Sequence, residues 1–289
     1  MSRVRVGLEG GIGNLLFQFS AAITLQDRYG YDISFAEATH GLTTRLETYI
    51  GEFDFFDSED SFGDQKTTRT RANSDFGDRA IQLSQKVRID RLTTKWAGDF
   101  EPCTAPYSKR VRTLKGYFQH PSWYQDSLKY VLDRLDTKRR LNPISVPKNL
   151  TAIHLRRSDY VRLGWDLPMS YYNKAIELDE KISKGPVAVF SDDQMVSNLY
   201  EDFLSRSGLT IFNYKSFSNA SALNDFFTIA SAQRIIMSNS TFSWWAASLA
   251  SYSDPSVKIY CPSAWLPNPG SEVLIDPSWI KVDYQGLTS

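Results

Sequence analysis

The stretch Thr151-Ala152-Ile153-His154-Leu155-Arg156-Arg157-Ser158-Asp159 is an apolar run that ends on two adjacent arginines. A run this short, with no helical period, predicts a buried strand of a parallel sheet. Behind it, residues 143–148 hold Pro143 and Pro147 and read as a linker. Ahead of it, apolar runs alternate with helical periods. A helix capped by Ser170 runs through Tyr172, Ala175 and Ile176 to Gly185-Pro186. Then come a strand from Val187 to Phe190, a helix from about Asp193 to Arg206, and a strand from Leu209 to Phe212. Ser221 opens a helix through Phe226, Ile229 and Ala230, and a strand covers Arg234 to Met237. A helix from Thr241 to Ala250 and a last strand from Val257 to Tyr260 complete the pattern. Strands that alternate with helices predict an α/β fold with a parallel sheet covered on both faces.

The first part of the chain opens the same way. Val4 to Leu8 reads as a buried strand, Gly10-Gly11-Ile12-Gly13 as a turn, and Asn14 stands in an N-cap position. Leu15, Leu16, Phe19, Ala22, Ile23 and Gln26 keep a helical spacing to Tyr29, with Gly30 as the C-terminal cap and a strand from Ile33 to Phe35 beyond. Residues 41–110 are less regular, and Asp64 to Arg71 reads as a polar surface loop. Leu114 to Gln119 reads as a strand and its exit, and residues 122–135 as a helix. Two Rossmann-like domains facing a cleft follow, over residues 1–145 and 146–289. Ligands of such sheets sit at the carboxyl ends of the strands.

Charge narrows the partners. The 33 basic and 33 acidic residues balance, so the chain has no overall field to hold nucleic acid or an anionic membrane, and any anion site must be local. Cys103 and Cys261 form no metal-type pair and read as buried thiols of a reducing compartment. The N-terminus enters a strand without an apolar leader, and no stretch reaches the ~20 apolar residues of a membrane helix. The expected location is cytoplasmic, at the inner face of the cell membrane if the substrate is lipid-linked.

Four segments carry chemistry. Arg156 and Arg157 leave a strand, and their planar donors match phosphate oxygens bidentately. The plain alternative pairs Arg157 with Asp159 or Asp166 and leaves Arg156 solvated. Phe190-Ser191-Asp192-Asp193 also ends a strand. There Asp193 reads as an N-cap, or one carboxylate accepts the two N–H donors of guanine. Adjacent acids without a nearby histidine do not resemble a divalent-metal site, so no metal is expected. Ser238-Asn239-Ser240-Thr241-Phe242-Ser243 joins a strand to a helix, and hydroxyls with free amides at a helix start form an anion site. Trp244 and Trp245 behind it read as core. Gly10-Gly11-Ile12-Gly13-Asn14 follows the first strand, but Leu16 stands where the dinucleotide fingerprint has its third glycine, and tight packing explains the turn equally well.

Together these segments resemble the inverting α-1,2-fucosyltransferases of glycosyltransferase family eleven. Gly11 to Gln18 matches its Gly-x-Gly-Asn-x-x-Phe-Gln opening, Gly116 to Gln119 its Gly-Tyr-Phe-Gln segment, His154 to Val161 its His-x-Arg-Arg-Gly-Asp-Tyr-Val motif, and Asn239 to Ala247 its late Ser-Trp-Trp-Ala-Ala motif. Ser158 replaces a glycine, and Leu15-Leu16 and Phe19-Ser20 also depart from the pattern. The resemblance implies a GT-B-like architecture and inverting transfer of L-fucose from GDP-L-fucose, without metal, to the 2-hydroxyl of a galactoside. The implied acceptor is a glycan or lipid-linked oligosaccharide of surface polysaccharide, O-antigen or capsule. It also implies that Arg156 contacts the diphosphate in catalysis; an inverting attack benefits from a base at the acceptor hydroxyl, for which His154 and Asp159 are the candidates, His154 reading equally as a buried strand residue that orients Arg156. Donor contacts fall to Arg156, Asp192, Asp193, Asn239, Ser240, Thr241, Ser243, Gly13 and Asn14, and acceptor contacts to Phe17, Gln18 and Tyr117. Transfer of another GDP-sugar, or binding without catalysis, stays open at this level.

Overall fold

The structure is a computed structural model that describes residues 3–37, 94–107, 111–214 and 221–284. The polar loop expected at Asp64 to Arg71 lies outside the described residues. The chain divides into two compact units, Met1–Val131 and Leu132–Ser289.

In the first unit, β1 (Arg3–Leu8) runs through a glycine turn into α1 (Ile12–Tyr29) and back to β2 (Asp32–Glu37). Two short strands, β3 (Thr94–Trp96) and β4 (Thr113–Lys115), complete a parallel sheet of order β2-β1-β4-β3. Val4, Val6 and Leu114 of the sheet pack with Ala21, Ala22 and Leu25 of α1. The helix starts earlier than the sequence suggests. Gly11 is its N-cap, extended at φ −88°, and Leu15 N donates to Gly11 O at 3.1 Å, so Asn14 sits inside the first turn. Gly10 has φ +89°, and a Cβ there would stand 2.4 Å from Asn14 Nδ2. Gly30 closes the helix in the left-handed conformation.

The single helix expected over 122–135 is two. Pro121 starts α2 (Pro121–Tyr124), which His120 caps by accepting from Ser122 N, and α3 covers Leu128–Leu141. Buried Ser127 turns the chain between them by donating to Ser20 O at 2.9 Å. The last turns of α3 bond to the second unit's own residues: Arg139 Nη1 to Ala230 O at 3.1 Å, and Asp136 Oδ1 to Ser253 Oγ at 3.0 Å.

The second unit follows the expected alternation. Its strands are β5 (Thr151–Leu155), β6 (Pro186–Ser191), β7 (Thr210–Ile211), β8 (Arg234–Ile236), β9 (Lys258–Pro262) and β10 (Ile280–Val282). Its helices are α4 (Ser158–Leu163), α5 (Met169–Glu177), α6 (Glu180–Ser183), α7 (Gln194–Arg206), α8 (Ala222–Ala230) and α9 (Thr241–Ser253). The sheet is parallel, in the order β10-β9-β8-β5-β6-β7. From β5 the chain winds outward through β6 and β7, then returns to lay β8 on the other side of β5, the doubly wound arrangement with a switch point between β5 and β8. All of β5 is buried, as a strand covered on both faces must be. Three local expectations are corrected. Ser170 lies within α5, whose N-cap is Pro168. The helical stretch breaks at Asp179, which caps α6. β9 is not the last strand, because β10 pairs beside it. Both cysteines are free; Cys261 is buried, which pushes its thiol up to about 12, and Cys103 is half-buried.

Asp179 is the polar anchor at the amino ends of β8 and β9. Its Oδ2 accepts from Arg234 Nε (3.0 Å), Lys258 Nζ (3.1 Å) and Tyr260 OH (2.9 Å), and its Oδ1 from Lys181 N (3.0 Å). Burial raises the carboxyl's pKa, but these hydrogen bonds outweigh burial and hold it well below the usual range. Asp179→Ala leaves Arg234 buried without its partner and is expected to cost ~3 kcal/mol in urea unfolding. Because the folded pKa is depressed, the contribution is full above an unfolded pKa of ~4 and drains as pH falls further. The gap between wild type and Asp179→Ala should therefore narrow from pH 6 to pH 2.

Candidate active site

The carboxyl ends of β5, β6 and β8 bring three of the four sequence segments together at the switch point. His154, next to last in β5, is 6% exposed. Its Nδ1 lies 2.8 Å from Ser238 Oγ, just beyond β8, and its ring packs 5.3 Å from Phe242. Burial pushes its pKa down to about 4, Asp192 opposes the shift and Arg156 adds to it, so the ring is neutral near pH 7. The hydroxyl of Ser243 sits 3.0 Å from the carbonyl oxygens of both Ser238 and Ser240, which closes the turn into α9.

Arg156 emerges one residue beyond β5 and is clamped. Nη2 donates to Asp159 Oδ1 and Nη1 to Asp192 Oδ2, each at 2.7 Å. The guanidinium carbon lies 5.3 Å from the ring centroid of Tyr160, a cation–π contact. Asp192 is held a second time, by the Arg157 amide at 2.8 Å. The Arg157 side chain pairs with Asp166, one of the plain alternatives, and its Nε is buried without a hydrogen-bond partner among the described residues. Two guanidinium groups thus face three carboxylates. Of the two carboxylates on Arg156, Asp159, on the short helix α4 that has no buried residue, is the less firmly held.

The segment after β8 is buried. Ser240 caps α9 by accepting from Phe242 N at 3.3 Å. Asn239 donates from Nδ2 to Trp165 O at 2.8 Å, and Tyr160 OH donates to Asn239 O at 3.3 Å. Asn239 Oδ1 has no hydrogen-bond partner among the described residues. Thr241, half-buried, begins the helix. Trp244 and Trp245 are core, as expected, and Trp244 Nε1 donates to Leu274 O. Asp193 caps α7 by accepting from Val196 N at 3.1 Å.

In the first unit, the glycine turn stands at the carboxyl end of β1. Gly13 and Asn14 lie in the first turn of α1. Phe17 and Gln18 are fully buried. Phe17 meets Tyr124 edge-on at 5.0 Å. Gln18 Oε1 accepts from Glu9 N at 3.0 Å, while Nε2 donates to Glu9 O at 3.1 Å and to Gly116 O at 3.2 Å. Both side chains are used inside the unit: Phe17 packs on α2, and the Gln18 amide holds the loops after β1 and β4. Tyr117 is half-buried and lies 6.2 Å from Trp96, ring to ring.

Tyr160 and Trp165 belong to the second unit's site and were not singled out by sequence. Their rings meet edge-on at 5.8 Å. The spacing of Arg156 and Tyr160, one helical turn apart, was the available signal.

A family model described as Glycosyl transferase family 11 matches residues 95–269, more than half of the chain. The O-antigen biosynthesis glycosyltransferase WbnK of Escherichia coli is 33% identical over 141 residues, covering 46% of this chain and 45% of that protein. An alpha-1,2-colitosyltransferase of Escherichia coli is 28% identical over 181 residues, covering 55% and 60%. The chain thus spans about half the length of the curated relatives it matches. Among solved structures, the fucosyltransferase NodZ from Bradyrhizobium is similar at a TM-score of 0.39 and 13% identity, over 85% of this chain and 91% of that one. Arginines and hydroxyls gathered at the switch point of a doubly wound sheet, together with the match over residues 95–269, place this chain in glycosyl transferase family 11.

Proposed function

We propose that the protein transfers L-fucose from GDP-L-fucose, with inversion, to the 2-hydroxyl of a galactoside in surface polysaccharide synthesis. One observation carries the reading: Arg156 stands at the end of β5, at the switch point, with its guanidinium held by carboxylates that a diphosphate can replace. The bond from sugar C1 to the β-phosphate oxygen breaks, and its electron pair leaves on the diphosphate. The acceptor oxygen bonds C1 from the opposite face and gives up its proton. Arg156 and the start of the 13-residue helix α9 neutralise the leaving charge, with Ser240, Thr241 and Ser243 around the phosphates and Asp192 or Asp193 at guanine. Asp159 yields Arg156 to the donor. In this reading His154 is a positioning residue that fixes the end of β5 against Ser238.

The name of the second relative favours one other donor. Colitose is L-fucose without its 3-hydroxyl, so a GDP-colitose donor asks the same diphosphate site to accept a smaller sugar.

Three outcomes test the reading. With a galactoside acceptor, GDP-fucose should turn over while GDP-mannose and UDP-galactose do not, and EDTA should leave the rate unchanged. Preference for GDP-colitose would move the assignment to that donor, and GDP binding without turnover of any donor would favour a binding module. Arg156→Lys should lower kcat by ~10²–10³, because a point charge cannot replace a bidentate donor that stabilises the leaving group; near wild-type turnover would remove that role. Since burial pushes the His154 pKa down to about 4, the ring should contribute no step to kcat between pH 5 and pH 8. His154→Gln should keep most of the turnover, whereas a pH-dependent loss in that range would restore it as a base.

A further inference from the structure

Of the seven tryptophans, five are buried and Trp165 is half-buried, but Trp96 is 52% exposed. It ends β3, at the carboxyl edge of the first unit's sheet, which is the end where parallel sheets take ligands. Its position is built. Ala97 N donates to Lys115 O at 2.8 Å, Gln119 N to Asp99 O at 2.9 Å, and Trp123 Nε1 to Glu101 O at 2.9 Å, so the loop that follows the indole is tied to β4, to its exit and to α2. Gly116, at φ +154°, allows that approach: a Cβ there would lie 3.1 Å from Gly98 O. The Tyr117 ring stands at 82° to the indole, an edge-to-face pair that covers at most one indole face.

The surroundings decide what can occupy the open face. Thr94 precedes Trp96 on the same face of β3 and Lys115 stands opposite it in β4, and Asp99 and Glu101 follow it in the loop. Asp99 is half-buried, its Oδ1 has no hydrogen-bond partner among the described residues, and burial, then the charge of Glu101, raise its pKa. A protein surface would need several apolar neighbours here. A single aromatic face ringed by hydrogen-bonding groups instead suits a pyranose, whose C–H face meets the negative face of the indole while its hydroxyls reach the rim.

We propose that Trp96, with Tyr117 as the side wall, is the platform on which the galactopyranose ring of the acceptor stacks through its C3–H, C4–H and C5–H face. That pose leaves the 2-hydroxyl at the open rim. The assignment of galactose rests on the reading of function above; the platform itself rests on the geometry.

Full-length wild type, Trp96→Ala and Trp96→Phe would be compared with lactose as acceptor and, separately, by saturation-transfer NMR with methyl β-D-galactopyranoside. Trp96→Ala should raise the acceptor KM about tenfold, the size of one aromatic stacking contact, with donor KM and thermal midpoint unchanged. Trp96→Phe should recover most of that loss. An unchanged acceptor KM in Trp96→Ala, or a rise in KM matched by a fall in thermal midpoint in both variants, would overturn the platform. If wild type transfers no sugar, the NMR experiment still decides: saturation transfer present in wild type and weakened in Trp96→Ala supports the platform while the reading of function fails. No transfer to the galactoside in wild type overturns the platform itself.

Discussion

The hydrogen bond between His154 Nδ1 and Ser238 Oγ crosses the place in the second sheet where connections leave in opposite directions. Between β5 and β8 no chain turn covers the strand ends, because the chain winds away from that gap on both sides. A gap of this kind is where a ligand fits, and also where the sheet is least constrained by its own connectivity. A neutral, buried imidazole on a buried hydroxyl draws the two ends together without placing a charge in the interior. Arg156 departs two residues after His154, and α9 begins three residues after Ser238, so this bond bears on the relative placement of both. The first unit meets the same constraint with Gln18, whose amide ties the exit of β1 at Glu9 to the exit of β4 at Gly116.

Polar groups are divided between the two ends of the second sheet. At the amino ends, Asp179 gathers Arg234, Lys258 and Tyr260 and is saturated by them. At the carboxyl ends, Arg157 Nε and Asn239 Oδ1 are buried without partners, and Arg156 is engaged by groups that solvent reaches. Unpartnered buried atoms occur at the amino ends as well, at Arg234 Nη1 and Thr151 Oγ1, so what sets the carboxyl ends apart is the partly exposed Arg156, at the end where parallel α/β sheets take ligands.

The sequence made most of this framework readable for a physical reason. Strands covered on both faces are continuous apolar runs, and charged or hydroxyl-bearing residues immediately after such runs mark the ligand end of the sheet. Thr151 to Leu155, Val187 to Phe190 and Arg234 to Met237 all announce themselves this way. β3 does not: Thr94-Lys95-Trp96 is a three-residue edge strand with little to bury. β10 is hidden likewise, with two of its three residues exposed. The partners of Arg156 were not legible, because Asp192 comes within reach only through the register that sets Leu155 beside Ser191. Gln18 is a further case. A polar residue on an apolar helix face suggests a ligand contact, and only the fold reveals that three backbone groups already use its amide.

The excess of carboxylates over guanidinium groups around Arg156 has a consequence for selectivity. A bare arginine at a strand end would collect any anion in its surroundings, and inorganic phosphate is far more abundant than a sugar nucleotide. Held by Asp159 and Asp192, the guanidinium presents a weakened positive field to a small anion. Under the proposed function, a ligand that brings further contacts competes with these carboxylates better than a small anion does, so the resting charge balance of the site would favour a whole nucleotide over a fragment of one.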